Sequence, residues 1–356
     1  VGKHKKEEIF KMKICFLMYP WERVTKGDST LRMIHESVKR GHEVSMVTPE
    51  RLSIRDSITM GNCEVFTKDQ KVSSSVSSFQ QNCEKTFKFL PLAEFDVVFM
   101  RANPPLDPFV LNFLDSIKED VFVMNAVQGL REANNKIYTA AYYDPDQEFI
   151  PKTYVSKDVD YLQKIIEESD QEQMIMKPLD GYGGKGVIII EKSASKNIKS
   201  LLDYYVNSST KDGKSQYVIL QEFIEGAEKG DVRVFMLHGE PIGALRRVPA
   251  KGDVRSNISA GGTTEKYKLS KEEIRICRKI GLKLVRDGLF FAGLDLIGSK
   301  LVEVNVLSPG AMTEFNRLNK TKIQEKIIDY LEKIVKARKA ALAKNNEIDM
   351  NSITID

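Results

Sequence analysis

Two stretches of this chain hold residue types suited to phosphate chemistry, at the spacings that chemistry needs. In Met176-Lys177-Pro178-Leu179-Asp180-Gly181-Tyr182-Gly183-Gly184-Lys185-Gly186, four glycines fall within six residues, accompanied by Lys177 and Lys185. Backbone N–H groups approach anionic oxygens closely where no Cβ intervenes. A plain hairpin turn needs no more than two glycines. The second stretch is Gly293-Leu294-Asp295-Leu296-Ile297-Gly298-Ser299-Lys300-Leu301-Val302-Glu303-Val304-Asn305-Val306. A three-residue turn at Gly298-Ser299-Lys300 sets Asp295 directly across from Glu303. Alternation along the strand puts Asn305 on the same face as Glu303. Three oxygen donors without His or Cys suit Mg²⁺, or Mn²⁺ in its place, with phosphate and water completing the octahedron. Facing carboxylates repel, so a purely structural role would require a neighbouring Lys or Arg.

The cations placed to meet anions are Lys136, Lys177, Arg233, Arg246, Arg247 and Arg255. Such residues are ordinarily surface residues, but Arg233 alternates with Val232 and Val234, and Arg246-Arg247 closes a strand entering a loop. Arginine suits bidentate binding of carboxylate or phosphate. The small, polar run from Arg255 through Asn257, Gly261 and Gly262 to Thr263 reads alone as a linker. Beside a phosphate–metal centre it becomes a candidate for binding substrate carboxylates or a transferred phosphoryl group. Gln221-Glu222-Phe223-Ile224-Glu225 ends a strand whose backbone can read an adenine edge, with Glu222 or Glu225 meeting the ribose.

The elements that must carry these residues follow from periodicity and breakers. Met12 to Tyr19 reads as a buried strand, Ser29 to Arg40 as a helix ended by Gly41, and Glu43 to Thr48 as a second strand. This β-α-β opening predicts a doubly wound parallel sheet, joined by strands at Phe95 to Met100 and Val121 to Asn125. Arg101-Ala102-Asn103-Pro104-Pro105 is then a loop at a strand's carboxyl end, where open α/β sheets gather ligands. The serine-rich Val72 to Ser78 is expected as an exposed turn, Leu130 to Tyr142 as one helix, and Asn207 to Ser215 as a loop. Strands flank the glycine run, Met174 to Met176 before it and Val187 to Ile190 after it. A dinucleotide fingerprint runs from strand into helix, and a Walker loop needs Lys and Ser/Thr where Val187 and Ile188 stand; both are excluded. What remains is a glycine hairpin closing over phosphates. Protein kinases share that feature, but no H-R-D…N or D-F-G motif follows. Further helices are expected at Val159 to Ser169, Lys271 to Asp287 and Lys322 to Lys344, with fraying after Asn345.

A chain of 356 residues calls for two or three packed units. Its net charge of +4, from 54 basic and 50 acidic residues, favours a small anionic ligand over nucleic acid. No apolar run reaches membrane-spanning length, so no membrane partner is expected. Residues 1–11 read as a charged arm without the apolar core of a signal peptide. Cys15, Cys63, Cys83 and Cys277 are scattered, which excludes a zinc ribbon and makes reduced thiols in the cytoplasm the default.

Taken in order, a helical Lys136, Lys177 before a glycine hairpin, the Gln221–Glu225 linker and the Asp295…Glu303-x-Asn305 set resemble the ATP-grasp ligases. Within that superfamily the chain is similar to the bacterial type of glutathione synthetase. The matching stretches are Met100-Arg101-Ala102-Asn103-Pro104-Pro105, Asn134-Asn135-Lys136, Lys177-Pro178-Leu179-Asp180-Gly181, Gly230-Asp231-Val232-Arg233-Val234, Asn257-Ile258-Ser259-Ala260-Gly261-Gly262, Gly293-Leu294-Asp295-Leu296-Ile297-Gly298 and Glu303-Val304-Asn305. The resemblance implies an α/β, ATP-grasp architecture. A flexible arm (1–11) would precede an N-terminal doubly wound parallel-sheet, substrate-binding domain (12–130). A small central or lid domain (131–225), a C-terminal α+β catalytic domain (226–335) and a helix end with tail (336–356) would follow.

That family implies ATP-dependent joining of γ-glutamylcysteine to glycine through an acyl phosphate, in a homo-oligomer. By the same resemblance, Lys136, Lys177, Gly183, Gly184, Gly186, Gln221, Glu222, Phe223, Ile224 and Asp231 bind ATP, and Asp295, Glu303 and Asn305 hold the metal. Arg247, Arg233 and Lys177 act in catalysis. Ser29, Arg101, Arg233, Arg255, Asn257, Gly261, Gly262, Ser308 and Gly310 serve the substrates. Where the family carries Ser-Pro-Thr, this chain reads Ser308-Pro309-Gly310, which leaves open an ATP-grasp ligase for a different amino acid or peptide pair.

Overall fold

The computed structural model describes residues 10–67, 72–179, 181, 183–207, 215–250, 256 and 261–352, with backbone alone at 194–196 and 345–352. Two compact units emerge, one running to Val127 and resuming at Gly310, the other spanning Gln128–Pro309.

The first unit contains β1 (Lys13–Leu17), α1 (Ser29–Lys39), β2 (Glu43–Val47), β3 (Leu52–Arg55), β4 (Ile58–Phe66), α2 (Val76–Asn82), β5 (Lys85–Pro91), β6 (Val97–Met100), α3 (Pro108–Asp115) and β7 (Phe122–Met124). Its sheet has the order β3-β4-β2-β1-β6-β7, with β5 paired on β4. Ile14, Cys15, Phe16 and Leu17 of β1 are fully buried, because parallel neighbours flank that strand on both sides and such central strands have no solvent face. The expected parallel sheet is only its core: β3, β4 and β5 are antiparallel. β3 and β4 are joined by Asp56-Ser57, both at positive φ, a two-residue hairpin turn that can only reverse the chain. The serine run is likewise not all turn. Ser75 caps α2 by accepting a hydrogen bond from the Ser78 amide at 3.4 Å.

The second unit begins within α4 (Val127–Glu132) and continues through α5 (Ile137–Ala140), β8 (Thr153–Ser156), α6 (Val159–Glu168), β9 (Gln173–Pro178), β10 (Ile188–Glu191), α7 (Ser195–Asn207) and β11 (Val218–Glu222). β12 (Asp231–Leu237), β13 (Glu240–Val248), β14 (Thr263–Lys266), α8 (Lys271–Arg286), β15 (Phe291–Ile297) and β16 (Lys300–Asn305) follow. The helix expected over Leu130 to Tyr142 is broken in two. Asn135 turns its Oδ1 back to accept the Ile137 amide at 2.9 Å, the local bond by which Asn competes with helix interiors. One antiparallel sheet runs β10-β9-β11-β8, and apolar residues of α6 and α7 cover it (Leu162, Ile166, Ile198 and Leu202 on Met174, Met176, Val218 and Leu220). The other runs β14-β13-β12-β15-β16. Gly281 in α8 lets the β12–β13 turn approach: a Cβ there would lie 2.0 Å from the Gly239 carbonyl oxygen.

Two helices complete the first unit, α9 (Met312–Asn319) and α10 (Ile323–Ser352). Residues 310–335, expected within a third domain, therefore pack with the first. The buried stripe Ile327, Ile328, Leu331 and Val335 accounts for this, together with Arg40, whose guanidinium lies 2.6 Å from Asp329 and 3.1 Å from Glu332. The helix also outruns the fraying expected after Asn345, since it meets no Gly or Pro before Ser352.

Candidate active site

The site is built from the register of four strands. Across β12, Asp231 stands directly opposite Arg247 of β13 and Arg233 directly opposite Asp295 of β15. Asp295 in turn pairs with Glu303 of β16. That last pairing was expected from a three-residue turn, and it arises differently. The turn is two residues, Gly298-Ser299, with Ile297 opposite Lys300, and a bulge between Asp295 and Leu296 restores the match. The extra residue re-aims the strand, as bulges beside sites do.

Four buried charges interlock here. Arg247 donates to Asp231 through Nε (2.6 Å) and Nη2 (2.7 Å), and its Nη2 lies 2.8 Å from Asp295 Oδ2. Arg233 donates to Asp295 through Nε (2.5 Å) and Nη2 (3.0 Å). Asn305 Nδ2 adds a bond to Asp295 Oδ2 at 3.2 Å. Burial pushes the Asp295 carboxyl up, but Arg233 and Arg247 more than offset this and hold it below the usual carboxylate range. Asp231 goes the other way, raised first by burial and then by the charge of Asp295. Arg247 stays charged, because both carboxylates outweigh its own desolvation.

Two lysines face this group. Lys136, at the start of α5, places Nζ 3.4 Å from Glu303 Oε1 and donates to the Gly181 carbonyl. Lys177 of β9 is buried and donates to Gln221 Oε1 at 3.0 Å and to the Val302 carbonyl at 3.4 Å. Burial lowers its ammonium to about 8, the Lys136 charge pushing the same way and Glu303 against it. A cation held this way gains from any anion that enters.

One cavity collects Lys136, Lys177, Gly181, Gly184, Lys185, Gln221, Glu222, Phe223, Ile224, Asp231, Arg247, Asp295 and Glu303. The glycine hairpin above it joins β9 to β10 in antiparallel register, and Gly183, Gly184 and Gly186 all take positive φ, which explains why glycine stands there. Sequence reasoning missed the cavity's apolar lining of Ile175, Val187, Ala227, Ile297 and Val302, and also Ser256. Alternation on β9 was the available signal, since Ile175 shares a face with Lys177. The carboxylate of Glu222 accepts the Lys152 amide at 3.0 Å and so pins the start of β8.

The proposed substrate residues are more scattered. Arg255 and Asn257 lie outside the described residues. Gly261 and Gly262 precede β14, and Ser308 is half-buried after β16. Ser29, Arg101 and Gly310 belong to the first unit. There Ser29 Oγ accepts the Met312 amide at 3.2 Å, and Arg101 donates to Thr30 Oγ1 at 3.0 Å.

Comparison with known proteins agrees with this geometry. Residues 12–131 match the prokaryotic glutathione synthetase N-terminal domain, and residues 135–320 match its ATP-grasp domain. A glutathione synthetase of Gloeobacter violaceus is 33% identical over 345 residues, covering 94% of this chain and 100% of that protein. One from Synechocystis sp. is 33% identical over 337 residues, covering 90% and 99%. Among solved structures, a RimK domain ATP-grasp protein from Sphaerobacter thermophilus superposes with a TM-score of 0.58 at 14% identity, covering 89% of this chain and 98% of that one. D-cycloserine synthetase does so at 0.57 and 14%, covering 89% and 99%. These likenesses show the ATP-grasp fold. Since both family domains match in order and relatives align over nearly their whole length, the chain belongs to the prokaryotic glutathione synthetase family.

Proposed function

We infer that this chain is an ATP-dependent ligase that forms glutathione from γ-glutamylcysteine and glycine, releasing ADP and phosphate. The observation that carries the reading is the single cavity in which Lys136, Lys177, Arg247, Asp295 and Glu303 converge beneath a glycine hairpin. A carboxylate is a poor electrophile because it has no leaving group. Transfer of the γ-phosphoryl group of ATP to the C-terminal carboxylate of γ-glutamylcysteine makes an acyl phosphate and ADP. The glycine amine then attacks the acyl carbon, the C–N bond forms, the nitrogen loses a proton and phosphate departs. Neither step requires an enzyme nucleophile, so the protein's part is positioning and charge neutralisation.

Lys136, Lys177 and the amides around Gly183, Gly184 and Gly186 hold the phosphates in this reading, with Gln221 to Ile224 along the adenosine. Arg247 meets the transferred phosphoryl group, oriented by Asp231, while Arg233 fixes Asp295. The chemistry of the donor set fits a divalent cation. Asp295 and Glu303 line the cavity, and Asn305 turns its amide nitrogen to Asp295, leaving its oxygen for a metal. All three donors are hard oxygens, a set that suits Mg²⁺ and equally admits Mn²⁺. Such an ion neutralises charge on the β- and γ-phosphates when bound. Ser29, Arg101, Arg255, Asn257, Gly261, Gly262, Ser308 and Gly310 serve the peptide and amine substrates. Pro309-Gly310 favours a second reading, in which the same chemistry joins a different amino acid or peptide pair.

The four cysteines are all free, which supports a cytoplasmic setting, and no helix among the described residues is long and apolar enough to cross a membrane. Phe87 (56% exposed) and Phe89 (48%), on one face of β5, support a homo-oligomer, since exposed apolar patches are usually covered. The assay that tests the function supplies ATP, Mg²⁺, γ-glutamylcysteine and glycine, and follows ADP and glutathione together. Both products appear only when both acceptor-side substrates are present. ADP release with other pairs alone would establish the second reading, and none with any pair would overturn both.

A further inference from the structure

The ammonium of Lys177 is not positioned by its own strand alone. It donates to Gln221 Oε1 at 3.0 Å. Gln221 Nε2 donates to Thr153 Oγ1 at 2.7 Å, and the Thr153 hydroxyl donates to the Pro151 carbonyl at 2.7 Å. The direction of this chain is fixed at both ends. An ammonium can only donate and a carbonyl can only accept, so the Gln221 amide has one allowed orientation. Gln221 is 5% exposed and Lys177 8%, which leaves little water to substitute for a missing partner. Thr153 stands directly opposite Gln221 in the β8–β11 pairing. The neighbouring residues lock that register, since the Glu222 amide donates to the Lys152 carbonyl and the Lys152 amide to Glu222 Oε1, both at 3.0 Å.

We propose that Thr153, which does not itself line the cavity, is a positioning residue for phosphate binding. Acting through Gln221, it fixes the direction of the Lys177 ammonium. Of the three N–H donors on that ammonium, Gln221 and the Val302 carbonyl hold two, and the third is left for a phosphate oxygen. Without the Thr153 hydroxyl, the Gln221 amide is free to rotate and present its NH₂ to Lys177. The ammonium then swings away from the donor set that faces the cavity. This inference rests on the assignment of Lys177 to the phosphates of ATP.

The test is direct titration of ATP with Mg²⁺ into the whole protein, beside steady-state kinetics, for wild type, Thr153→Val, Thr153→Ser, Gln221→Ala and the Thr153→Val/Gln221→Ala double variant. Thr153→Val weakens ATP binding about fivefold, the effect of one net hydrogen bond. The KM values for γ-glutamylcysteine and glycine stay within about twofold, because one bond on the ATP side leaves those contacts in place. Thr153→Ser restores ATP affinity, and in the Gln221→Ala background the Val substitution adds nothing. Unchanged ATP affinity in Thr153→Val overturns the proposal, as does a full effect that persists in the Gln221→Ala background. A loss of thermal stability with ATP affinity unmoved overturns it too, showing a merely structural role. If wild type itself binds no ATP, the functional assignment falls and this inference with it; wild-type binding with an unaffected Thr153→Val defeats this inference alone.

Discussion

Replacing Glu303 with Gln lowers kcat by about 10³-fold while leaving the fold intact. The substitution is isosteric and sits at the mouth of the Asp295–Glu303 strand pair, where the Glu303 side chain is 29% exposed. Its only ion-pair partner among the described residues is Lys136, at 3.4 Å, and partly exposed pairs of this kind contribute about 0–1 kcal/mol. Stability therefore changes little. The loss appears in turnover, because the carboxylate's charge is required where phosphate charge builds up during transfer. Circular dichroism and thermal melting check the fold, and ADP release checks the rate. Near-normal turnover would remove Glu303 from the metal assignment.

Asp295→Asn behaves differently, although both residues belong to the same donor set. Asp295 is 3% exposed and accepts from Arg233 twice, from Arg247 and from Asn305. In the wild-type quartet two arginines balance two aspartates. The variant leaves Asp231 as the one carboxylate of the quartet against both guanidinium groups, so the buried quartet carries a net positive charge. Breaking a buried pair by removing one partner costs about 3–5 kcal/mol, enough to lower the melting temperature by on the order of 10 °C in a unit of this size. Activity falls as well, but here the stability loss is the distinguishing result. A variant that melts like wild type would mean that the buried quartet is held by something other than charge balance.

The contrast shows what the sequence could and could not reveal. Alternation and a short turn pointed to Asp295, Glu303 and Asn305 meeting, since strand periodicity is local, but the Asp295–Glu303 pairing itself rests on a bulge that was not legible. That two arginines would enclose Asp295 was not legible. Arg233 and Arg247 arrive from β12 and β13; Arg247 meets Asp231 across the β12–β13 hairpin, but the opposition of Arg233 to Asp295 depends on a β12–β15 register set by contacts distant in sequence. The glycine hairpin was legible from its flanking strands, but the polar chain from Lys177 to Pro151 was not. It links β9, β11 and the start of β8, and a single threonine at an edge strand carries no sequence signature. Packing partners of amphipathic helices are similarly hidden. The apolar stripe of α10 announces a buried face without saying that α1 and the first unit supply the other side. The antiparallel pairing of β3 with β4 turned on Asp56-Ser57, two residues that adopt positive φ less readily than glycine and so gave a weak hairpin signal.

The central claim is that this cavity activates a carboxylate by phosphorylating it. The most direct measurement supplies γ-glutamylcysteine labelled with ¹⁸O in its C-terminal carboxylate, together with unlabelled ATP and glycine, and reads the isotope in the released phosphate by mass spectrometry. Passage through an acyl phosphate moves one carboxylate oxygen into each phosphate released as glutathione forms. Unlabelled phosphate accompanying labelled glutathione would contradict the account.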